Sequence, residues 1–365
     1  MKIPFLKPNI NQRDINNMIR SVKSGWLSRG KYTEKFEENL GKYLGVSPAP
    51  CFLYSATAAL HLSLILAGIK EGDEVITTPL SWVSTSNVIL YCGAKPIFVD
   101  VELDTGLLDL DKIEERITKK TKAIIVVHLY GQMVDMRKLK KIADKYKLKI
   151  IEDAAHALES SRDEIRPGQL SFSTCFSFHA AKNITCGQGG AIYCKDRNKS
   201  LLLMKDGIGK KNKNIGNDKR VMVDFGYKYD STDFQAALLI DQLQRIDKSH
   251  AKRQKVMERY QKAFAGKIKF QKPIINSIHA GHMFIIWVKN RDHIRSELAK
   301  RGIETSIHYD PIHLEPYYKK LMKVKLPIAE KLGRETITLP TYDLSPKEQD
   351  YIIKNVLDVA KNEKN

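Results

Sequence analysis

The residues best suited to chemistry follow two apolar, strand-like runs in the middle of the chain. The run LKIIEDAAH (148–156) places Asp153 and His156 at its carboxyl end. The run TCFSFH (174–179) is followed by Lys182, just before the glycine-rich turn CGQGG. A carboxylate at the end of a buried strand needs a cation or a hydrogen-bond donor. A lysine in apolar and aromatic surroundings is a candidate nucleophilic amine with a lowered pKa, although a solvated loop lysine is the common alternative.

The segment after the first apolar run has the composition of an anion site. Ser55, Ala56 and Thr57 begin the stretch SATAALHL, directly after CFLYS. Backbone N–H groups and hydroxyls at a helix N-terminus favour a phosphate, but Ser and Thr are also ordinary helix caps. Ser177 leaves a later strand, and Trp82 in TTPLSWVST is either a core side chain or a wall for a flat ring.

One cofactor would use all of these groups. Pyridoxal phosphate needs an amine for its aldehyde, a carboxylate at its ring nitrogen, a wall for its ring and a cup for its phosphate. We therefore predict that Lys182 binds the aldehyde covalently and that Asp153 pairs with the ring nitrogen. Trp82 or His156 would flank the ring. The phosphate would be held by Ser55, Ala56, Thr57 and Ser177.

Alternating strands and helices must position these residues. Helical stretches, including DLDKIEERIT (109–118) and DMRKLKKIADKYK (135–147), lie between apolar runs. This pattern predicts an α/β fold whose sheet is mixed, mostly parallel and seven-stranded, with the last two strands departing from strict repetition. Ligands of such sheets gather at the carboxyl ends of the strands, so the candidate residues should meet there. The apolar runs are CFLYS, DEVITTP, KPIFVDV, KAIIVVHL, LKIIEDAAH, TCFSFH and GGAIYC.

The pattern changes after Gly226. Residues 231–266 predict two helices or one long bent helix, and a strand candidate, HMFIIWVK (282–289), is then followed by a helix and a lysine-rich part. We expect a large cofactor-binding domain with an N-terminal arm over residues 1–245. A smaller α+β domain would cover residues 246–365.

Composition excludes several classes of protein. With 365 residues, 42% hydrophobic and 28% charged, disorder is excluded as the main state. Five scattered cysteines without a CxxC pair argue against a disulfide framework or a zinc site, so no metal is expected. The net charge of +19 suits an anionic small molecule, but the basic residues are spread out and no nucleic-acid-binding motif accompanies them. Because no secretory signal or membrane span is recognisable, we expect a cytoplasmic protein that binds neither nucleic acid nor membrane.

Six segments carry a resemblance to a known family. In chain order they are SATAALHLSL, EGDEVITTPLSWVSTSNVILYCGAKPIFVDV, VHLYGQMVDM, IIEDAAHAL, FSFHAAKNITCGQGGAI and GYKYDSTDFQAALLIDQL. They resemble the successive signatures of the DegT/DnrJ/EryC1/StrS family of sugar aminotransferases, and the match runs from GWLSRG (25–30) to LPTY (339–342). Around Lys182 and in GYKYD, the chain is most similar to members that make UDP-4-amino-4-deoxy-L-arabinose.

The resemblance implies a fold-type I pyridoxal-phosphate aminotransferase that works as a homodimer. Its members move an amino group, usually from glutamate, to a keto sugar carried on a nucleotide. Many members have a GYNYR motif whose Asn reaches the cofactor phosphate of the neighbouring subunit. Here Lys228 takes that position, and a lysine can still bind phosphate as a point charge. Arg29, His308 and Tyr309 are candidates for contacting the substrate.

The position of amination is suggested by one residue. His156 in DAAHA resembles members that aminate C4 of the sugar, whereas many members that act at C3 carry Gln there. His and Gln differ in shape and in hydrogen-bonding groups, which could tilt the sugar. We therefore expect a UDP-linked 4-keto sugar as the acceptor, with a 3-keto sugar as the alternative.

The chain also departs from the family, and other functions compete. The segment ESSRDEIRPGQLS (159–171) lacks the glycines usual after DAAHA. Related dehydratases replace the catalytic lysine by His, so Lys182 argues against that reaction. A non-catalytic regulator that binds pyridoxal phosphate and a nucleic-acid binder remain as further alternatives.

Overall fold

The computed structural model describes residues 1–210 and 220–361. A sheet of seven strands forms its centre, in the order β1-β8-β7-β5-β4-β2-β3. The strands in chain order are β1 (Cys51–Leu53), β2 (Glu74–Thr77), β3 (Lys95–Phe98), β4 (Thr121–Val127), β5 (Lys149–Asp153), β6 (Ser161–Arg162), β7 (Ser173–Ser177), β8 (Gly190–Cys194), β9 (Ile208–Lys210), β10 (Arg220–Met222), β11 (Lys269–Phe270), β12 (Ser277–Ile278), β13 (Phe284–Trp287) and β14 (Thr336–Leu339).

The predicted mixed, mostly parallel sheet is confirmed. Strands β2 to β5 and β7 pair in parallel, whereas β8 is antiparallel to both of its neighbours, β1 and β7. The departure expected for the last two strands is therefore confined to β8, because β7 is parallel to β5. The central strands are almost continuous apolar runs, as strands covered on both faces require.

Helices cover the sheet and continue into the C-terminal part. They are α1 (Gln12–Lys23), α2 (Lys31–Leu44), α3 (Ala56–Leu66), α4 (Ser84–Tyr91), α5 (Met136–Tyr146), α6 (Arg197–Leu203), α7 (Asp233–Gln244), α8 (Ile246–Phe264), α9 (Arg291–Lys300), α10 (Pro316–Leu321), α11 (Pro327–Glu335) and α12 (Pro346–Lys361). The stretch expected as two helices or one bent helix is two, α7 and α8, joined at Arg245. Within the described ranges, none of the helices has both the length and the apolar character needed to cross a bilayer.

The prediction of a helix over residues 109–118 is wrong. This stretch forms only two short 3-10 turns, Leu110–Lys112 and Glu114–Arg116. Leu110 and Ile113 are buried, but the residues after them are not, so the segment has no apolar stripe long enough to hold a helix against the sheet.

A smaller sheet lies in the C-terminal part of the chain. Strands β11, β13 and β14 form it in the order β11-β13-β14, and its apolar face packs with α8, α9 and α12. The N-terminal arm reaches this region, since the Ile3 N–H donates to Gly302 O at 2.8 Å and Ile3 is fully buried. The boundary between residues 245 and 246 stays a prediction.

The strand register brings the predicted site segments to one edge of the central sheet. Gly190 of β8 pairs with Leu53 of β1 on one side and with Ser177 of β7 on the other. Asp153, the last residue of β5, pairs with Cys175, two residues before Ser177. Because neighbouring strands lie about 4.8 Å apart, the carboxyl ends of β1, β7 and β5 lie close together at this edge, with the start of β8 between β1 and β7.

Candidate active site

Asp153 is buried at the end of β5 and is held by two donors. Thr85 Oγ1 donates to its Oδ2 at 2.8 Å, and the Ala155 N–H donates to its Oδ1 at 3.2 Å. Burial raises the pKa of Asp153, although both hydrogen bonds and the charge of Lys182 oppose this effect. A protonated ring nitrogen at this carboxylate would supply the counter-charge that stabilises its ionised form.

Lys182 follows β7 in a turn closed by hydrogen bonds. Its N–H donates to His179 O at 2.9 Å, and the Ala180 N–H donates to Gly187 O at 2.9 Å. Burial lowers the pKa of the Lys182 amine to about 8, against the opposing charge of Asp153. The chain therefore brings an amine that deprotonates near neutral pH into electrostatic contact with a buried carboxylate.

The start of α3 forms a cup beside β8. Ser55 caps the helix, and its Oγ accepts from the Ala58 N–H at 3.1 Å. The first N–H groups of a helix have no partner within it, so those of Ala56 and Thr57 are available to an anion. Gly190 is required here, since a Cβ at this position would lie 2.3 Å from the Ser55 carbonyl carbon and 2.5 Å from the Ala56 nitrogen.

Three rings form a wall near this edge. His156 Nδ1 accepts from the Tyr130 N–H at 3.3 Å, and its Nε2 lies 3.2 Å from the Tyr309 hydroxyl. The rings of His156 and Tyr309 are nearly parallel, with centroids 6.1 Å apart. The Trp82 ring is 6.4 Å from that of Tyr309 and is 62% exposed, so Trp82 lies at the mouth of the site.

A cavity of about 230 Å³ opens beside Lys182 and includes His308. His308 Nδ1 lies 2.8 Å from Thr338 Oγ1, and its backbone oxygen accepts from the Tyr130 hydroxyl at 2.6 Å. Burial, reinforced by the charge of Lys182, lowers the pKa of His308 to about 4. A larger groove of about 1160 Å³ lies at the amino ends of β5 and β7, and no predicted site residue lines it.

Arg29 is not brought to this site. Its two terminal nitrogens each bind one oxygen of buried Glu37 at 2.5 Å, and Glu37 also accepts from Arg197 at 2.7 Å. A buried carboxylate requires such partners. The guanidinium predicted to contact the substrate is instead committed to an internal ion pair, so we no longer place Arg29 among the substrate residues.

The side chain of Lys228 is exposed and pairs with carboxylates of its own chain. Its side chain is 72% exposed, and its Nζ is 3.1 Å from Asp230 Oδ1 and 3.8 Å from Asp206 Oδ2. These carboxylates raise the pKa of Lys228, which keeps it charged. Its predicted contact with the phosphate of a neighbouring subunit stays a prediction.

The segment 159–171 is anchored beside the site. Both oxygens of Glu159 accept from Asn183 Nδ2 at 3.0 Å, and Oε1 also accepts from Arg253 at 2.5 Å. The segment then forms β6, which pairs with β12. Sequence reasoning missed Glu159, Asn183 and Arg253, as well as Thr85, because each is a single polar residue whose partner is distant in the chain.

These groups fit the cofactor predicted from the sequence. The structure places an amine of lowered pKa, a buried carboxylate, a helix N-terminus with free N–H groups and a ring wall at one sheet edge. The close approach of Gly190 to α3 shapes the cup at its anion-binding end. In residues 1–210 and 220–361, no cluster of His, Cys, Asp and Glu has the geometry of a metal site.

Comparison with known proteins places the chain among aminotransferases. A sequence profile of the DegT/DnrJ/EryC1/StrS aminotransferase family matches residues 8–357. The chain is 34% identical to the spore coat polysaccharide biosynthesis protein SpsC of Bacillus subtilis, over 98% of this chain and 97% of that protein. It is 37% identical to the uncharacterised protein MJ1066 of Methanocaldococcus jannaschii, again over 98% and 97%.

Solved structures with the same fold cover almost the whole chain. The Spr1654 protein of Streptococcus pneumoniae, solved in its PLP form, has a TM-score of 0.94 and 32% identity, over 99% of each chain. PseC of Helicobacter pylori, an aminotransferase involved in the biosynthesis of pseudoaminic acid, has a TM-score of 0.92 and 29% identity, over 99% of this chain and 100% of its own.

Proposed function

The chain belongs to the DegT/DnrJ/EryC1/StrS aminotransferase family, and we propose that it transfers an amino group from glutamate to a 4-keto sugar linked to UDP. The resemblance inferred from its motifs is thereby confirmed, and pyridoxal phosphate is the cofactor of the family. The observation that carries the proposal is the pairing of half-buried Lys182 with buried Asp153 at the carboxyl edge of the sheet.

Each residue of the site has a proposed task in this reaction. When bound, pyridoxal phosphate supplies the electron sink that stabilises charge at the amino-bearing carbon. Lys182 binds its aldehyde, and Asp153, held by Thr85, keeps its ring nitrogen protonated. Once the amine of the donor has replaced Lys182 at the aldehyde, the freed Lys182 Nζ would take a proton from the amino-bearing carbon of the donor and, in the second half of the reaction, deliver one to the carbon of the sugar carbonyl. The phosphate is held by Ser55, Ala56, Thr57 and Ser177.

The nature of the sugar substrate is supported by the relatives and by charge. SpsC is named for polysaccharide biosynthesis and PseC for pseudoaminic acid biosynthesis, so both relatives belong to sugar pathways. The net charge of +19 favours a substrate that carries a diphosphate. His156 at the ring wall favours amination at C4, and His308 and Tyr309 would contact the sugar. The reaction would take place in the cytoplasm.

We further propose that the protein is a homodimer with shared sites. Met222, Val223 and Phe225 are exposed by 62, 54 and 69% just before Lys228. Contiguous exposed apolar side chains of this kind favour burial against another molecule. A second copy that covers them would carry Lys228 to the neighbouring phosphate cup, where its charge would replace the Asn of the GYNYR motif.

The proposal is tested by giving the purified protein glutamate labelled with ¹⁵N and either a UDP-4-keto or a UDP-3-keto sugar. We expect the label in the sugar by mass spectrometry and at C4 by NMR, and we expect no transfer by Lys182→Ala. Turnover confined to the 3-keto sugar would overturn the position of amination. A protein that binds pyridoxal phosphate but does not lose the yellow absorbance of the cofactor (bleach) when glutamate is added would instead be the non-catalytic regulator.

A further inference from the structure

Four polar side chains form a hydrogen-bonded chain that ends at the cavity beside Lys182. Arg253 donates to Glu159 Oε1 at 2.5 Å, and Asn183 Nδ2 donates to both Glu159 oxygens at 3.0 Å. Asn183 Oδ1 lies 3.1 Å from His282 Nδ1. The Arg253–Glu159 pair is almost fully buried, so the chain has a fixed inner end. None of the tasks assigned to the cofactor site uses it.

These contacts determine the tautomer of His282. Asn183 Nδ2 is surrounded by acceptors, namely the Glu159 oxygens and Ala280 O at 3.2 Å, so the amide nitrogen faces them and the amide oxygen faces His282. An amide oxygen only accepts, and therefore His282 Nδ1 must carry the proton and donate. Burial, reinforced by the charge of Lys182, lowers the pKa of His282 well below 6.5, so its ring is neutral. Its Nε2 then carries a lone pair.

This lone pair has no donor within the protein. In the part of the chain that the structure describes, His282 Nε2 is buried and makes no hydrogen bond. His282 lines the same cavity as Lys182 and His308, and its ring centroid is 4.7 Å from that of His156. Buried polar atoms in proteins almost always have partners, and an exception calls for an explanation such as a functional role or a missing bound group.

We propose that His282 Nε2 accepts a hydrogen bond from a hydroxyl group of the acceptor sugar, and that Asn183, Glu159 and Arg253 are positioning residues that fix its tautomer. The inference rests on the proposed function, because it takes a sugar as the substrate. The nearby cations Lys182 and Arg253 disfavour the ammonium group of the donor amino acid. A lone pair also repels carboxylate and keto oxygens, which leaves a neutral hydroxyl as the group that fits.

The tautomer is measured directly by ¹⁵N NMR of the histidine side chains in the holoprotein, with His282→Phe used to assign the signals. We expect His282 Nδ1 to be protonated and Nε2 to be unprotonated. Addition of the UDP-4-keto sugar should shift the Nε2 signal, because the sugar hydroxyl would donate to this atom. Glutamate is left out so that no amino group is transferred during the measurement. A protonated Nε2, or a signal that does not move with a sugar that binds, would overturn the inference. Asn183→Leu removes the amide oxygen that fixes the proton on Nδ1, so His282 should then populate a mixture of its two neutral tautomers.

Kinetics separate the sugar step from the donor step. His282→Phe should raise the KM for the keto sugar about tenfold, as expected for one lost hydrogen bond, and change bleaching by glutamate less than twofold. His282→Gln, which restores an acceptor near Nε2, should recover most of the loss. His279→Phe is the matched control, because His279 is half-buried on the same segment, as His282 is, but does not line this cavity.

The outcomes distinguish this inference from the proposed function. Equal losses in the two half-reactions of His282→Phe, or an equal loss in His279→Phe, would refute the role of His282 while leaving the aminotransferase proposal intact. Failure of the wild-type protein to aminate any keto sugar would overturn the proposed substrate class. It would then also overturn the proposed role of His282 in binding a sugar.

Discussion

Lys182 can act at neutral pH because burial weakens its hold on a proton. At pH 7, an ordinary lysine is neutral in about one molecule in 2,500, whereas a pKa of about 8 leaves about one in ten neutral. The neutral fraction rises as the pH rises through about 8. Competitive acylation of the cofactor-free protein should therefore give Lys182 a half-maximal reactivity near pH 8. Exposed Lys141 is the control; coincident curves for the two lysines would show that burial does not act on Lys182.

Arg29 is expected to matter for stability and not for substrate binding. Removing it leaves the buried Glu37 carboxylate with Arg197 as its remaining cationic partner. Arg29→Ala should lower the free energy of unfolding by about 3 kcal/mol, measured by urea denaturation at pH 7. Adding Glu37→Gln should recover part of this loss, because the unpaired charge is removed. A raised KM for the sugar with unchanged stability would restore the substrate role first expected from the sequence.

At the scale of single elements, the contact between β8 and α3 shapes the phosphate cup. Gly190→Ala places a Cβ against the backbone of Ser55 and Ala56, and this backbone must shift. Overpacking of this kind costs about 1–3 kcal/mol, so the affinity for pyridoxal phosphate should fall about tenfold in absorbance titrations of the cofactor-free protein. Gly68→Ala is the control, since Gly68 lies beyond the other end of α3 and its Cβ would meet no neighbour, while its φ of +78° strains an alanine and so destabilises the chain away from the cup. Equal losses in both variants would mean that general destabilisation, not the cup, is responsible.

The elements could be predicted from the sequence where their apolar pattern is strong. Strands such as β4 and β5 are long apolar runs with charged neighbours, and their carboxyl ends meet by the geometry of parallel sheets. For that reason the sequence alone predicts that Asp153 and Lys182 lie at the same edge of the sheet. The prediction of a helix over 109–118 was wrong because the helical pattern of charges in this segment is not accompanied by an apolar stripe.

Partners that come from distant parts of the chain could not be predicted. Thr85 and Asp153 are 68 residues apart, and Glu159 and Arg253 are 94 apart, so no local pattern records either contact. Arg29 was predicted to contact the substrate for the same reason, since nothing in the sequence around this turn residue indicates its ion pair with Glu37. His282 was hidden for another reason, because it enters the apolar strand HMFIIWVK and the pattern marked only the strand.

At the scale of the whole molecule, we expect a second subunit to supply Lys228 to the phosphate cup. If the site is shared, Lys182→Ala and Lys228→Ala are each inactive, but a mixed dimer has one site with both lysines. After subunit exchange of an equal mixture, half of the dimers are mixed and half of their sites are intact, so about a quarter of the wild-type activity should return. Activity is measured by transfer from glutamate to the keto sugar, and each variant incubated alone is the control. Mixed dimers that stay inactive would contradict the shared site, because each lysine would then serve only its own subunit. A Lys228→Ala protein that is fully active alone would also contradict it, because Lys228 would then not be needed at either site.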